Sequence, residues 1–340
     1  MSGGVDSSVA ALLLKNQGYD VQGATMQLFG SDVPGVNARD LYDARQVAKK
    51  LDIPFHVFDF SKEFKCEVID NFVAVYKNGA TPNPCIVCNK KLKFGLFIEK
   101  ALELGFDYIA TGHYAVIGFE NGRYTLSKGH DLQKDQSYML YGLTQQQLAH
   151  TLFPLGTLTK NEVRTLAQKH GLQNAKKSDS QDICFVPDGN YAQFIEKISG
   201  EKNLEGDFVD INGKLLGRHK GIVNYTIGQR KHLGIQSKQT LFVCDKCAAD
   251  NTVLLGNEEQ LKKSVLFAKE CNLIAYNQLD APLRVKAKIR YRQPEQNATV
   301  EQSGKTLLKI TFDEPQRAIA PGQSVVLYDE NQVIGGGIIE

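Results

Sequence analysis

Tryptophan is absent from the 340 residues and methionine occurs three times, so aromatic contacts fall to 13 tyrosines and 17 phenylalanines. No uninterrupted apolar run approaches the roughly 20 residues that cross a bilayer. The N-terminus shows glycine and acid instead of the basic start of a secretory leader. The expected location is the cytoplasm, with no membrane partner. Excess charge is also missing: 40 Lys+Arg against 38 Asp+Glu leave +2, which neither demands nor excludes a nucleic-acid partner. Repeats and low-complexity stretches are lacking, and a monomer is expected. In a reducing compartment the seven cysteines read as catalytic or metal-binding more readily than as disulfides.

With 42% hydrophobic and 23% charged residues the bulk composition is that of a globular protein, and its length calls for two or three domains. Apolar spacing predicts a first helix through Val9–Leu14 stopped by Gly18, then a strand over 21–29. A helix over 37–51 follows, with Leu41, Ala44, Val47, Ala48 and Leu51 on one face. Next come a short strand over 54–60, a helix capped by Ser61 and running to about Tyr76, a helix over 90–104 ended by Gly105, and a buried strand over 106–111. This alternation predicts an α/β fold with a doubly wound parallel sheet, whose ligands bind at the carboxyl ends of the strands. Asn121-Gly122 predicts a hairpin over 118–125. Thr159 with Glu162 reads as a capping box for a helix over 159–170, and 191–198 as a further helix. From about Asn203 short strands and turns dominate, apart from a short helix near 258–262. The expected organisation is an α/β catalytic domain over 1–202, a small mostly-β central domain over 203–260 and a C-terminal β-barrel over 261–340.

The stretch around which this pattern is built is Met1-Ser2-Gly3-Gly4-Val5-Asp6-Ser7-Ser8. Adjacent glycines let backbone amides approach a bulky anion. Ser7 and Ser8 add hydroxyls, and the helix that follows adds the partial positive charge of its N-terminus. Asp6 within such a cradle points to a divalent cation, Mg²⁺, between carboxylate and phosphate. No Lys-Ser or Lys-Thr pair closes the loop, so it is not a Walker A loop. The plain alternative is a glycine turn that starts a helix.

A second stretch, Thr81-Pro82-Asn83-Pro84-Cys85-Ile86-Val87-Cys88-Asn89, uses two prolines to deliver two cysteines to the N-terminus of the predicted 90–104 helix. Dipole and neighbouring Lys90, Lys91 and Lys93 should lower the thiol pKa there. Cys184 lies in a polar loop, Ser178-Asp179-Ser180-Gln181-Asp182-Ile183-Cys184-Phe185. Cys66 and Cys271 read as buried, inert thiols. Cys244-x-x-Cys247 could be half of a zinc site but reads better as surface cysteines at a strand end.

The opening loop resembles the Ser-Gly-Gly-x-Asp-Ser loop of the PP-loop ATP pyrophosphatases. It is followed in fixed order by Pro82-Asn83-Pro84-x-x-x-Cys88-Asn89-Lys90, Ala110-Thr111-Gly112-His113-Tyr114, Lys134-Asp135-Gln136-Ser137-Tyr138, Ile183-Cys184-Phe185 and Tyr225-Thr226-Ile227-Gly228-Gln229-Arg230. Together these resemble the tRNA-specific 2-thiouridylases of the MnmA/TrmU type, and the likeness covers essentially the whole chain. The resemblance implies a PP-loop (HUP-like) domain binding ATP through Met1 to Ser8, with Met26 and Gly112 near the adenosine. It implies Cys88 as nucleophile, Cys184 as persulfide carrier, and Asn83, Pro84 and position 85 facing the target base. It further implies tRNA contacts from His113, Lys134, Asp135, Gln136, Arg290, Tyr291 and Gln323, and a persulfide donor or relay protein as partner. Two departures are visible. The family has an apolar strand ahead of the opening loop, which this sequence does not show. Its best-known members also carry Asp where this chain has Cys85. Cys85, Cys88 and Cys184 are three thiolates that could instead hold an iron–sulfur cluster with one open iron; relay and cluster both stay open.

Along 284–292, Arg284, Lys286, Lys288, Arg290 and Arg292 alternate with Val285, Ala287, Ile289 and Tyr291, which puts five cations on one strand face. Such a row is stabilised by a phosphate backbone or else is a solvated edge strand. A second basic run comprises Lys214, Arg218, His219, Lys220, Arg230, Lys231, His232 and Lys238. The expected activity is ATP-dependent 2-thiolation of the wobble uridine of tRNA. The competing expectations are a PP-loop ligase acting on a small molecule and a tRNA-binding paralogue without turnover.

Overall fold

A computed structural model describes residues 1–29, 38–175, 177 and 182–340. The chain forms two compact units: Met1–Val68 with Cys85–Pro187 and Glu330–Ile334, and Ile69–Pro84 with Asp188–Asp329 and Gly335–Glu340.

The first unit is α/β. Its strands are β1 (Gly23–Gln27), β2 (Phe55–Asp59), β3 (Ile109–Ala110), β4 (Ala115–Glu120), β5 (Arg123–Lys128) and β6 (Thr151–Leu152). β1 runs parallel to β2 and β3 parallel to β6, so among the described residues the parallel strands form two separate pairs. The first helix, α1 (Val5–Asn16), buries Val5, Val9 and Leu12 against Val47 and Leu51 of α2 (Ala38–Leu51) and against Val163, Ala167 and Leu172. Each fully buried Val or Leu contributes about 1.5–3 kcal/mol, and that packing fixes the helix whose N-terminus carries the glycine loop. β4 and β5 form the predicted hairpin, with Asn121 and Gly122 at φ 51° and 76° as a tight primed turn requires. Thr159 and Glu162 form the predicted capping box.

Two helices differ from their sequence reading. Helical backbone runs without a break from Pro84 to Glu103, through a π-helical stretch over Asn89–Leu96. Cys85 and Cys88 are therefore the second and fifth residues of the helix and do not lie in a loop ahead of it. Proline at the first helical position explains the early start, since its fixed φ suits that site and its missing N–H costs no bond there. The helix predicted to be capped by Ser61 has Ser61 as its first residue, and Asp59 accepts the Ser61 amide at 2.9 Å. Of the helix read over 37–51, Asn37 lies outside the described residues, as do Ser178 to Gln181 of the Cys184 loop.

The second unit is mostly β. A four-stranded sheet has the order β8 (Leu215–His219), β7 (Gly206–Val209), β10 (Thr252–Gly256), β9 (Phe242–Cys247). Next to it in sequence lies a closed six-stranded barrel of β11 (Lys262–Leu273), β14 (Leu307–Arg317), β13 (Gln296–Gly304), β12 (Leu283–Lys288), β15 (Ser324–Asp329) and β16 (Gln332–Ile339). Pairing of residues 335–339 with β11 closes the ring. Val285 and Ala287 of β12, with Ile289 just beyond it, are buried while Arg284 and Lys286 are exposed, as the period-two pattern requires.

Candidate active site

The opening loop is drawn tight by its own hydroxyls. Ser8 Oγ donates to Gly4 O at 2.9 Å, and the Ser2 amide donates to Ser7 Oγ at 3.1 Å. Gly3 takes φ +68°, and a Cβ there would lie 2.6 Å from Asp40 O; glycine is required by both conformation and space. Gly112 closes the loop from the β3 side, where a Cβ would meet the Cα-bound carbons of Asp6 at 2.7 Å and the Ser7 amide nitrogen at 2.8 Å. Met26 lies near the carboxyl end of β1 and is half-buried. Met1 bonds to both Ala24 and Thr25 of the same strand.

Asp6 is held from two sides. Lys160 Nζ lies 2.8 Å from each of its carboxylate oxygens, and Tyr114 OH donates to Oδ1 at 2.8 Å. The lysine side chain is only 7% exposed, so its charge depends on this pair. Where the sequence pointed to a metal beside Asp6, the structure places an ammonium. Asn174 supports the same loop, its Nδ2 donating to Ser8 Oγ at 2.8 Å and Gly4 O at 3.0 Å. Lys177 bridges Asp40 and Asp43 at 2.7 and 2.8 Å and also donates to Gly3 O. None of Lys160, Asn174 and Lys177 came from the sequence reading. One signal was available for Lys160: a lysine at the first position of a helix opposes the dipole and so suggests a task outside the helix.

The three thiols lie in the same unit. Cys88 is buried, whereas Cys85 and Cys184 reach solvent. Desolvation first, then the Cys88 and Cys85 thiolates, push the Cys184 thiol up to about 12, which places the three within electrostatic reach. Desolvation also raises Cys85 and Cys88, with Lys93 opposing it in each case. The lowered thiol pKa read from the helix dipole and lysines is thus reversed, because the cost of a charge in a dry site exceeds what one nearby ammonium returns. Lys93 is felt by all three thiols and by His113. The Phe185 ring beside Cys184 packs edge-on against Phe64 at 5.8 Å. No three His, Cys, Asp or Glu side chains among the described residues converge to hold a metal ion, Cys85, Cys88 and Cys184 included.

His113 sits between Phe94 and Phe153, with ring centroids at 5.6 and 5.8 Å, and its Nδ1 is 2.7 Å from Thr111 Oγ1. Desolvation, then Lys93, push its pKa well below the usual value, so the ring is neutral. Asp135 accepts from Gly129 N, Ser137 N and Ser137 Oγ, while Gln136 accepts from Tyr114 N at 3.0 Å. Both side chains shape the turn on which Lys134 rides.

In the second unit, Gln323 Nε2 donates to Thr81 O at 3.0 Å and Pro82 O at 3.2 Å, next to Asn83 and Pro84. Arg290 donates to Ile227 O and Ala318 O at 3.2 and 2.8 Å. Lys288 Nζ lies 5.8 Å from the Tyr291 ring centroid. Arg284 pairs with Asp313 through two bonds of 2.8 and 2.7 Å. The Tyr225–Arg230 motif is tied down by Lys246 Nζ on Tyr225 O at 2.8 Å and by Gly228 N on Val243 O at 2.8 Å. Three cysteine readings change: Cys66 is exposed, Cys271 is half-buried and Cys244 is buried within β9, with Cys247 exposed beside Asp250.

Residues 1–188 match the family model described as the tRNA methyl transferase HUP domain. Residues 192–257 match the tRNA methyl transferase PRC-barrel domain, and 263–339 the aminomethyltransferase beta-barrel domain. Over its full length the chain is similar to the tRNA-specific 2-thiouridylase MnmA of Clostridioides difficile, at 52% identity and 96% of that protein's length. It is similar to those of Clostridium perfringens, at 50% identity and 97% of the length, and Moorella thermoacetica, at 49% and 98%. Each alignment takes in all of this chain.

Proposed function

The chain belongs to the tRNA-specific 2-thiouridylase family, and from that premise we propose that it converts a uridine of tRNA, the wobble base, to 2-thiouridine at the expense of ATP. The observation that carries the reading is that Cys184 lies within electrostatic reach of Cys88 and Cys85, from segments about a hundred positions apart, in the unit that also holds the glycine loop. A sulfur relay needs two thiols that can reach one another, and activation of a carbonyl oxygen needs an anion cradle. In this reading the amides and hydroxyls of residues 1–8 hold the phosphates of ATP, with Met26 and Gly112 at the adenosine. Lys160 supplies positive charge at the same loop. A divalent ion accompanying ATP would neutralise the phosphates further, while Asp6 is already engaged by Lys160.

Uridine O2 attacks the α-phosphorus and pyrophosphate leaves, which turns O2 into part of an AMP leaving group. The terminal sulfur of a Cys184 persulfide, charged by a separate donor protein, attacks C2 and AMP departs. The base is then joined to Cys184 through a disulfide. Cys88 Sγ attacks Cys184 Sγ, its proton passing to the departing 2-thiouridine, and a Cys88–Cys184 disulfide is left. A thiol reductant supplies two electrons to reopen it. The anticodon base is reached unstacked, as loop bases permit at low cost. Asn83, Pro84 and Cys85 would face it. His113, Lys134, Asp135, Gln136, Arg290, Tyr291 and the basic faces of the second unit would border the tRNA. Cys85 cannot serve as a carboxylate would, and the relay asks no proton transfer of it.

The test is product analysis with unmodified tRNA, ATP and a persulfide donor. AMP, pyrophosphate and 2-thiouridine should appear together and only with tRNA; ADP would refute the scheme. Cys184→Ser should abolish 2-thiouridine yet keep tRNA-dependent pyrophosphate exchange.

A further inference from the structure

We propose that Asn174 is a positioning residue for ATP, which fixes the plane of the Gly3–Gly4 peptide and so aims the Gly4 amide at the phosphates. This rests on the reading above, in which residues 1–8 hold those phosphates. Gly3 takes φ +68°, and Gly4 lies at φ −88° and ψ 162°. A peptide between two glycines meets no Cβ on either side and turns over at little cost. Its orientation must therefore come from the groups that its carbonyl and amide bond.

The carbonyl is held by side chains from far along the chain. Asn174 Nδ2 donates to Gly3 O at 3.2 Å, and Lys177 Nζ reaches the same oxygen at 3.4 Å. Nδ2 also donates to Gly4 O at 3.0 Å and to Ser8 Oγ at 2.8 Å, and Ser8 Oγ donates onward to Gly4 O at 2.9 Å. Across a trans peptide the C=O and N–H point in opposite directions, so an oxygen drawn towards Asn174 turns the Gly4 N–H the other way. Gly4 is the N-cap of α1, and the amides at a helix start are the donors an anion meets. The asparagine works in one orientation, because Gly3 O and Gly4 O have no hydrogen to give to its Oδ1. That Oδ1 is buried and finds no donor among the described residues, in a side chain only 6% exposed. An unpaired buried acceptor is destabilising, so burial alone does not account for an asparagine here, and its two donated hydrogens do. Its own backbone is anchored: Leu172 and Ala175 pack into the α1 core, and Lys177 N donates to Asn174 O at 3.0 Å.

The experiment is nuclear magnetic resonance on the full chain, isotope-labelled at the glycine carbonyl carbon and the glycine amide nitrogen, which selects peptides between two glycines. The sequence holds three: Gly3–Gly4, Gly335–Gly336 and Gly336–Gly337. The last two lie in β16 and serve as an internal reference for the fold. In wild-type protein, ATP and pyrophosphate should each move the Gly3–Gly4 signal and leave the other two in place. Asn174→Leu removes both donors at similar size, and Asn174→Asp sets a carboxylate against two carbonyls. In both, the Gly3–Gly4 signal should shift or broaden before any ligand is added. Affinity for ATP and pyrophosphate should fall about tenfold and that for adenosine by less than about twofold, as for the loss of one oriented donor among several. Should the Asn174 variants not fold, Lys177→Met, at a side chain 33% exposed, takes their place with the same outcomes expected at the same carbonyl. An unmoved Gly3–Gly4 signal with wild-type ATP affinity would overturn the proposal. So would an equal loss for adenosine, which has no phosphate to meet the amide. If the wild-type signal responds to neither ATP nor pyrophosphate, the phosphate reading of the loop fails, and the positioning role falls with it.

Discussion

The Asp6 carboxylate and the Lys160 ammonium, 154 positions apart in sequence, meet with both oxygens 2.8 Å from the nitrogen. They do so between the first turns of two helices, with Asp6 directly after the glycine loop. Asp6 is 30% exposed and Lys160 7%, so the pair is unequal: the lysine has lost nearly all its water and depends on its partner more than the aspartate does. Tyr114, which also donates to Asp6, joins the loop to the segment after β3.

Breaking this pair should be costly from either side. Lys160→Met and Asp6→Asn should each lower unfolding free energy by about 2–4 kcal/mol, somewhat below the about 3–5 kcal/mol of a fully buried pair because Asp6 keeps part of its water. The double variant should lose at least about 1 kcal/mol less than the sum, since the second change removes a charge already orphaned. Denaturant titration of the four proteins checks this. Strict additivity would mean that the two groups do not interact in solution.

Gly112→Ala should disable the loop while leaving most of the fold. The new methyl group would sit 2.7 Å from Asp6 carbons and 2.8 Å from the Ser7 nitrogen, all close to backbone that cannot rotate away. A loss of about 1–3 kcal/mol is expected from such overpacking. Binding of a fluorescent ATP analogue should fall far more than Tm. Unchanged nucleotide affinity would show that the loop tolerates displacement.

The thiols should titrate late. With Cys184 pushed up to about 12 and Cys85 and Cys88 also raised, alkylation by iodoacetamide should be slow at pH 7 and still climbing well above pH 9. Lys93→Met should slow it further, because that ammonium lowers all three. The same shifts bear on stability. Groups whose folded pKa lies above the unfolded value keep their contribution below about pH 9 and lose it as pH rises towards 12. Alkylation complete at pH 7 within minutes would contradict this picture.

His113 sets the opposite limit. Its pKa is depressed by the dry aromatic slot, so the folded protein binds fewer protons than the unfolded chain below about pH 6.5. Stability should therefore fall as pH drops below that value, and His113→Gln should flatten the slope. Denaturation midpoints from pH 7 to pH 5 measure it directly.

Asp313→Asn should release Arg284 from its bidentate partner and make it available to RNA phosphates. Both groups are exposed, so Tm should hold. The plot of log tRNA affinity against log salt should steepen by up to about one charge. No change in that slope would mean that this end of β12 faces away from bound tRNA.

What the sequence determined by itself is everything carried by short spacing. The Asn121-Gly122 turn, the Thr159–Glu162 cap and the alternation of Val285 and Ala287 with Arg284 and Lys286 depend on a handful of neighbouring residues, and the fold kept all three. The ordered motifs from Ser2 to Arg230 likewise identified the family, because motif order is a property of the chain alone. Tertiary structure decided the rest. Spacing cannot say that Lys160 would cross to Asp6, that Asn174 and Lys177 would hold the glycine loop, or that Gln323 would grip Thr81 and Pro82. It also cannot set a thiol pKa: local lysines and a helix dipole argued for lowered values, whereas desolvation by distant segments raised them. Burial is contributed by residues far away in sequence, so its effect on charge appears only once the chain has closed around the site.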